Sequence, residues 1–446
     1  VYVILLTPPG RGAIATLRLE GVGAIDRLRP WVRRLSGQPV EDFPTDRPLV
    51  VRFGPAPAEE VVLRCFGPQA VEIHCHGGRA AVGRIQSLLA QSGCQVVDWK
   101  TWLAEQPADP IAKEAIFWLT AALTERTAAI LLDQLHGALA TAVRQIIHAV
   151  ESEQISLAGE QLAALLDRAA LGKHLTAPWQ VVLVGRPNVG KSSLLNALLG
   201  YSRAIVHPQP GTTRDLVTAA TALDGWPIQL VDTAGWRDSA DPLEQAGIAL
   251  ARQQAQQADL VLVVTDLSQP WTETDVAFCR AFPAGLLVHN KCDLLPNPAH
   301  PEQQVAQPTM LDGVSKSSPM SVAAPAEMVV SCSEPPFPRI GEARPLGLCL
   351  SARTGVGLPA LIQAIVRRLA SDPPPPGAAV PFTDRQIQAL QAAQQHLRQN
   401  DRGAALDALQ NILSGSPTFS QEVTSPSPPQ NKSPSPLGGH SPHKVE

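Results

Sequence analysis

The chain lacks the features of a secreted, membrane-spanning or broadly basic protein. Its 7 cysteines include no Cys-x-x-Cys pair, which argues against a disulfide framework and favours a reducing compartment. The 36 basic residues are outnumbered by 40 acidic ones, so any contact with nucleic acid must be local or supplied partly by a partner. The apolar run 1–6 is short and has no basic leader, so it predicts neither a signal peptide nor a membrane span. We therefore expect a cytoplasmic protein without a membrane partner.

One glycine-rich segment has the spacing of a phosphate-binding loop. Residues 185–192 read GRPNVGKS and lie between the apolar run 181–184 and an amphipathic stretch. In such a loop backbone N–H groups turn towards phosphate oxygens, a lysine reaches the terminal phosphates, and a serine hydroxyl binds Mg²⁺. The predicted nucleotide contacts in this segment are Asn188, Val189, Gly190, Lys191, Ser192 and Ser193.

Two segments downstream have the order expected of GTPase switches. The first reads GTTRD at 211–215, and its Thr213 is the best placed hydroxyl to close on Mg²⁺. The second reads DTAG at 232–235, where Asp232 would hold the metal through water and the Gly235 N–H would sense the γ-phosphate. The predicted contacts here are His207, Pro208, Gln209, Pro210, Gly211, Thr212, Thr213, Asp232, Thr233, Ala234 and Gly235.

The segment NKCD at 290–293 decides the base. A carboxylate at Asp293 accepts both guanine N1–H and N2–H₂, whereas adenine has no matching pair of donors, so the site should reject ATP. Asn290 would reach the other edge of guanine, the Lys291 stem would cover its face, and the Ala352 N–H would meet O6. The predicted base contacts are Asn290, Lys291, Asp293, Ser351, Ala352 and Arg353.

The catalytic group is not the usual glutamine, because Trp236 follows the second switch motif. Glu244 lies in the same switch and is either a water-orienting carboxylate or a first-turn glutamate favoured by a helix dipole. Asn188 could ligate a monovalent cation that replaces the charge of an arginine finger. Spacing alone does not choose a finger among Arg203, Arg214 and Arg237.

The remaining segments predict a multidomain fold. Short apolar runs bounded by glycine and proline predict an α+β domain at 1–100. Helical periodicity predicts a bundle from 101–176 and 378–413, with an α/β P-loop GTPase domain, 177–372, inserted into it. Two Pro/Ser-rich stretches, about 296–345 and 414–446, are predicted to be disordered. The run His74-Cys75-His76 more often marks a strand entering a turn than a metal site.

The chain resembles the tRNA uridine-modification GTPase family MnmE. The resemblance covers residues 7–12 and 17–18, residues 71–73 and 76–78, the helical stretch 114–137, and the whole GTPase set. It implies an N-terminal domain that forms a homodimer and binds 5-formyl-tetrahydrofolate or a related one-carbon folate, with contacts from Arg18 and Glu72. It also implies a K⁺-dependent GTPase that works on tRNA with an FAD-dependent partner, MnmG, in a heterotetramer. The product would carry a carboxymethylaminomethyl-type group on the wobble uridine.

The resemblance also assigns ions and the catalytic residue. It places Mg²⁺ on Ser192 and Thr213, and it makes Glu244 the water-orienting glutamate. It gives K⁺ the ligands Asn188, His207, Gln209 and Thr212.

The chain departs from the family pattern at three places, and these bear on tRNA modification more than on GTP hydrolysis. The stretch that carries the family's folate-contacting lysine is replaced by the short segment 102–110, the helical part is shorter, and the C-terminal Cys-Ile-Gly-Lys motif is absent. The sequence therefore supports GTP hydrolysis better than tRNA modification. The alternatives are a regulatory GTP-binding switch, for example in ribosome assembly, and a dimeric interaction scaffold.

Overall fold

The structure, a computed structural model, describes residues 1–8, 12–201, 217–232, 258–295 and 344–417. Its first part is a seven-stranded sheet in the order β3-β4-β5-β6-β2-β1-β7. The strands are β1 (Tyr2–Leu5), β2 (Ile14–Glu20), β3 (Val32–Arg33), β4 (Leu49–Phe53), β5 (Glu59–Cys65), β6 (Ala70–His76) and β7 (Gln95–Val97). β1 and β7 pair in parallel and the other neighbours are antiparallel.

One face of this sheet is apolar and buried. Alternate residues of the long strands, such as Leu17 and Leu19, point into a core that α1 (Ala24–Leu28) and α2 (Arg79–Gln91) help to enclose. The opposite face carries polar side chains that are only half-buried. The apolar runs 14–19, 49–53, 61–65 and 71–74 predict β2, β4, β5 and β6, and the glycine pair at 77–78 predicts the turn into α2, whereas β1, β3 and β7 are not among the predicted strands. The folate-binding likeness of this part stays a prediction.

A set of helices follows and returns after the second sheet. The helices are α3 (Trp99–Glu105), α4 (Pro110–Leu119), α5 (Glu125–Leu135), α6 (Ala138–Glu151), α7 (Ile155–Asp167), α8 (Ala169–Lys173), and later α12 (Asp384–Arg398) and α13 (Arg402–Ser414). α12 packs on α13 and α7, and α13 packs on α6 and α4. Glu114 of α4, fully buried, receives two hydrogen bonds from Arg385 of α12, at 2.8 and 2.9 Å. Helices on both sides of the second sheet therefore share one bundle.

The second sheet has six strands in the order β13-β12-β11-β8-β10-β9. The strands are β8 (Trp179–Val184), β9 (Val217–Leu223), β10 (Trp226–Asp232), β11 (Leu260–Asp266), β12 (Leu286–Asn290) and β13 (Leu348–Cys349). The flanking helices are α9 (Lys191–Tyr201), α10 (Glu273–Ala281) and α11 (Leu358–Leu369). β8, β10, β11, β12 and β13 run parallel, so their carboxyl ends meet at one edge. β11 is buried along its whole length, as expected of a parallel strand covered on both faces.

The helical bundle contacts this sheet away from that edge. Arg126 of α5 lies over the Trp226 ring at 5.3 Å and is 3.3 Å from Asp224, in the turn between β9 and β10. His174 stacks on Trp179 with ring centroids 3.4 Å apart. A single apolar cluster runs from the bundle into the sheet. Within the described residues, no helix is both long and apolar enough to cross a bilayer.

Two expectations differ from the structure. The helical periodicity of 101–176 places Leu131, Leu135, Leu139, Val143 and Ile147 on one stripe. In the structure α5 ends and α6 begins around Gly137, whose φ of 96° suits glycine. After this break Ile146 is buried and Ile147 only partly so. Arg344 and Pro345, predicted as the end of a disordered stretch, pack against the second sheet through contacts to Asp266 and His289. The predicted domain boundaries stay predictions.

Candidate nucleotide-binding site

The phosphate-loop motif lies between β8 and α9, at the carboxyl edge of the sheet. Gly185 has φ 145°, and a Cβ there would lie 2.1 Å from the Val264 carbonyl oxygen of the neighbouring strand. Gly190 has φ 94°, and a Cβ there would lie 2.4 Å from Asn290 Nδ2. Both positions therefore need glycine, because the loop passes directly against β11 and the last residue of β12.

Lys191 is buried inside this loop. Its ammonium donates hydrogen bonds to the carbonyls of Gly185 at 2.9 Å and Arg186 at 2.8 Å. Burial lowers the pKa of Lys191, and the nearby Asp232 carboxylate partly opposes that shift. The ammonium thus lies inside the loop, where a phosphate-binding loop receives its anion.

A hydroxyl and a carboxylate meet beside the lysine. Ser192, in the first turn of α9, donates to Asp232 Oδ2 at 2.6 Å, and Asp232 is the last residue of β10. β8 and β10 are neighbours, with Asp232 paired to Leu183. Hydroxyl and carboxylate oxygens are the ligands that Mg²⁺ prefers, so these two residues fit a magnesium site next to the phosphates.

The NKCD segment is bonded to the phosphate loop. Asn290 Nδ2 donates to the Val189 carbonyl at 2.9 Å, and Asn290 Oδ1 accepts the Ala352 N–H at 3.0 Å. Lys291 adopts φ 66° and its ammonium donates to the Asn188 carbonyl at 2.7 Å. Three segments that are far apart in the sequence are therefore held together by the side chains of two residues.

The remaining predicted base contacts lie on the same side of the sheet. Asp293 is half-buried in the short 3₁₀ turn after β12, and the Cys292 N–H of this turn donates to the Leu350 carbonyl at 3.1 Å. That bond brings the turn beside residues 351–353. Ser351 is fully buried and its hydroxyl accepts the Thr354 N–H at 3.1 Å, whereas Arg353 is exposed.

Several predicted contacts lie outside the described residues. They are Glu244, the first-switch residues 207–213, and Thr233, Ala234 and Gly235. Their roles stay predictions.

Sequence reasoning missed two carboxylates behind the loops. Asp266, at the end of β11, accepts the Lys291 ammonium at 2.7 Å and is 6% exposed. Asp275, at the start of α10, is 2% exposed and accepts Arg186 Nε at 2.8 Å. Asp266 could have been found, because an aspartate that ends an apolar strand in a parallel sheet lies at the edge where the motifs converge.

Comparison with known proteins agrees with this geometry. Residues 180–291 match a family model described as a 50S ribosome-binding GTPase. The tRNA modification GTPase MnmE of Geobacillus kaustophilus is 32% identical over 65% of this chain and 72% of its own length. The MnmE of Synechococcus sp. strain CC9605 is 34% identical over 69% and 77%, and that of Prochlorococcus marinus 32% identical over 80% and 79%.

The chain belongs to the MnmE family of tRNA modification GTPases. Membership makes it a GTP-hydrolysing enzyme with a P-loop GTPase domain. Among solved structures, Aquifex aeolicus Era bound to GDP and aluminium fluoride is similar over 48% of this chain and 65% of its own. The two chains are 22% identical, with a TM-score of 0.27.

The two residues that the MnmE resemblance assigns to folate lie on the polar face of the first sheet. Arg18 of β2 and Glu72 of β6 are paired across the strands, with Nη1 and Oε1 3.4 Å apart. The Arg18 guanidinium also lies 5.5 Å from the Phe66 ring and 5.8 Å from the Trp102 ring. His74 Nε2 is 3.7 Å from Glu72. This face thus combines a cation, a carboxylate and aromatic rings.

Proposed function

We propose that this chain is a K⁺-stimulated, guanine-specific GTPase that helps to add a carboxymethylaminomethyl-type group to the wobble uridine of certain tRNAs. It acts as a homodimer with an FAD-dependent MnmG-type partner. The GTPase activity is supported by the hydrogen bonds that join the base-recognition segment, residues 290–293, to the phosphate loop through Asn290 and Lys291. Membership of the MnmE family supports the tRNA part.

The predicted site residues have separate roles in binding and hydrolysing GTP. Lys191 neutralises the terminal phosphates, and Asp293 accepts the two guanine donors. Ser192 and Thr213 would hold Mg²⁺, and Asp232 would hold it through water; the bound ion would offset the negative charge of the phosphate oxygens. Glu244 orients the attacking water, because Trp236 has no group that can do so.

Asn188 would supply a side-chain ligand for K⁺, and His207, Gln209 and Thr212 would complete the shell. Asn188 is exposed at the rim of the loop. Its backbone adopts φ 62°, and its carbonyl accepts a hydrogen bond from Lys291. A cation there would supply the positive charge that an arginine finger supplies in other GTPases.

The cation role predicts faster GTP hydrolysis in KCl than in NaCl. Asn188→Ala should lower the rate in KCl more than about tenfold, a loss of about 1.4 kcal/mol of transition-state stabilisation. Asn196→Ala, an exposed asparagine on α9, is the matched control and should keep both the rate and the preference for K⁺. Equal wild-type rates in the two salts would reject the cation role.

Nucleoside analysis of tRNA tests the modification. A strain without this gene should lose the modified wobble uridine and regain it with the wild-type gene, but not with Lys191→Ala. The match of residues 180–291 to a model described as a ribosome-binding GTPase favours a second candidate, a regulatory GTP switch. Unaltered wobble uridines in the deletion strain would favour that switch.

The N-terminal sheet is the proposed site for the one-carbon folate. Arg18 and Glu72 offer donors and acceptors on one face, beside the Trp102 ring. Calorimetry with 5-formyl-tetrahydrofolate should show binding to the wild type that Arg18→Ala weakens. If the wild type gives no heat of binding, it does not bind this folate.

A further inference from the structure

We propose that Asp266 is a positioning residue of the nucleotide site, which holds Lys291 so that the base-recognition segment stays locked to the phosphate loop. This inference rests on the proposed GTP binding. It assigns a function to a strand-terminal carboxylate that belongs to none of the GTPase motifs.

Both oxygens of the Asp266 carboxylate are used. Oδ1 accepts the Ser268 N–H at 2.9 Å and the Ser268 hydroxyl at 2.6 Å, whereas Oδ2 accepts the Lys291 ammonium at 2.7 Å. Because Ser268 fixes one oxygen with two donors, the other oxygen has a set direction. That direction is towards Lys291.

The lysine needs such a partner. Its stem has several rotatable bonds, and its ammonium is a compact charge that many geometries satisfy. Here the same ammonium bonds Asp266 Oδ2 and the Asn188 carbonyl, both at 2.7 Å. Asp266 therefore selects the rotamer in which the Lys291 stem passes over the guanine position and its end reaches the phosphate loop.

Neighbouring basic groups do not replace this contact. Arg344 donates to the backbone carbonyl of Asp266 and to that of Gln269, not to the Asp266 carboxylate. Arg186 of the phosphate loop is paired with Asp275. Among the described contacts, the carboxylate of Asp266 thus has Lys291 as its cationic partner.

Asp266→Asn changes this arrangement with little change in shape. The amide oxygen should stay on the two Ser268 donors, so the NH₂ group would face the Lys291 ammonium, and a donor would oppose a donor. We expect the dissociation rate of a fluorescent GDP analogue to rise about tenfold, with the same factor for a GTP analogue.

Asp259→Asn is the matched control. Asp259 precedes the other end of β11, is partly buried, and accepts the Gln180 N–H at 2.7 Å. It should lower stability without changing nucleotide dissociation. If the two variants weakened nucleotide binding equally, Asp266 would be a general structural residue and the proposal would be wrong.

A double-mutant cycle tests whether Asp266 affects nucleotide dissociation through Lys291. Lys291→Met should raise the dissociation rate by itself, and adding Asp266→Asn should raise it no further. Additive effects would overturn the proposal. If Asp266→Asn does not fold, Ser268→Ala is the milder variant: it should raise the rate about twofold to threefold, and only where Lys291 is present.

Different results refute the proposed function and the role of Asp266. A wild-type protein that binds no guanine nucleotide refutes the proposed function. A wild type that binds GDP while Asp266→Asn binds it with unchanged kinetics refutes only the role of Asp266.

Discussion

Gly190→Ala should disable nucleotide binding without unfolding the protein. The φ of 94° at Gly190 lies in the region that costs a residue with a Cβ about 1–2 kcal/mol. The new Cβ would also lie 2.4 Å from Asn290 Nδ2, so the amide must leave its hydrogen bond to the Val189 carbonyl, at a cost of about 1 kcal/mol. The loop can relieve this strain by moving, but then its N–H groups no longer converge on a phosphate.

The total of about 2–3 kcal/mol corresponds to about a 30-fold to 150-fold rise in Kd. Equilibrium titration with a fluorescent GDP analogue measures this change, and thermal unfolding without nucleotide reports the stability separately. Gly200→Ala is the matched control, because Gly200 lies in α9 with open space around its Cβ position and should be neutral or slightly stabilising. A Gly190→Ala protein that binds GDP as tightly as the wild type would refute the assignment of this loop.

Two further predictions concern stability. Glu114→Gln should lower the free energy of unfolding in urea by about 3 kcal/mol, because an amide would face the Arg385 guanidinium, which is only 13% exposed. Glu153→Gln, the control in an exposed pair, should lower that free energy by less than about 1 kcal/mol. Burial lowers the pKa of His289, so the unfolded state binds more protons below about pH 6.5 and stability should fall as the pH drops below that value. His289→Gln should reduce the loss measured between about pH 7.5 and about pH 5.5, and an unchanged loss would contradict this origin.

The sequence predicts that the GTPase motifs meet at one edge of the sheet, because each of them follows a strand. Asp232 ends β10 and Asn290 ends β12, and both strands end at the same edge as β8, which leads into the phosphate loop. This order places Ser192 beside Asp232, whereas the bond from Asn290 to the Val189 carbonyl is a contact that the sequence does not predict.

Side-chain contacts that support the nucleotide site and the helical bundle are harder to predict from the sequence. The NKCD spacing does not say which carboxylate holds Lys291, because Asp266 precedes it by 25 residues in another strand. Glu114 and Arg385 are 271 residues apart, so only the packing of α4 on α13 and of α13 on α12 brings them together. Buried pairs of this kind depend on tertiary packing rather than on local periodicity.

Release of phosphate from GTP by the purified chain, in KCl and Mg²⁺ with about a hundredfold excess of ATP, tests the central claim most directly. The carboxylate at Asp293 and the Asn290–Lys291 link to the phosphate loop predict hydrolysis that the excess ATP leaves nearly unchanged, because adenine has no matching pair of donors for the Asp293 carboxylate. Inhibition by an equal concentration of ATP, or no phosphate release at all, would contradict the account.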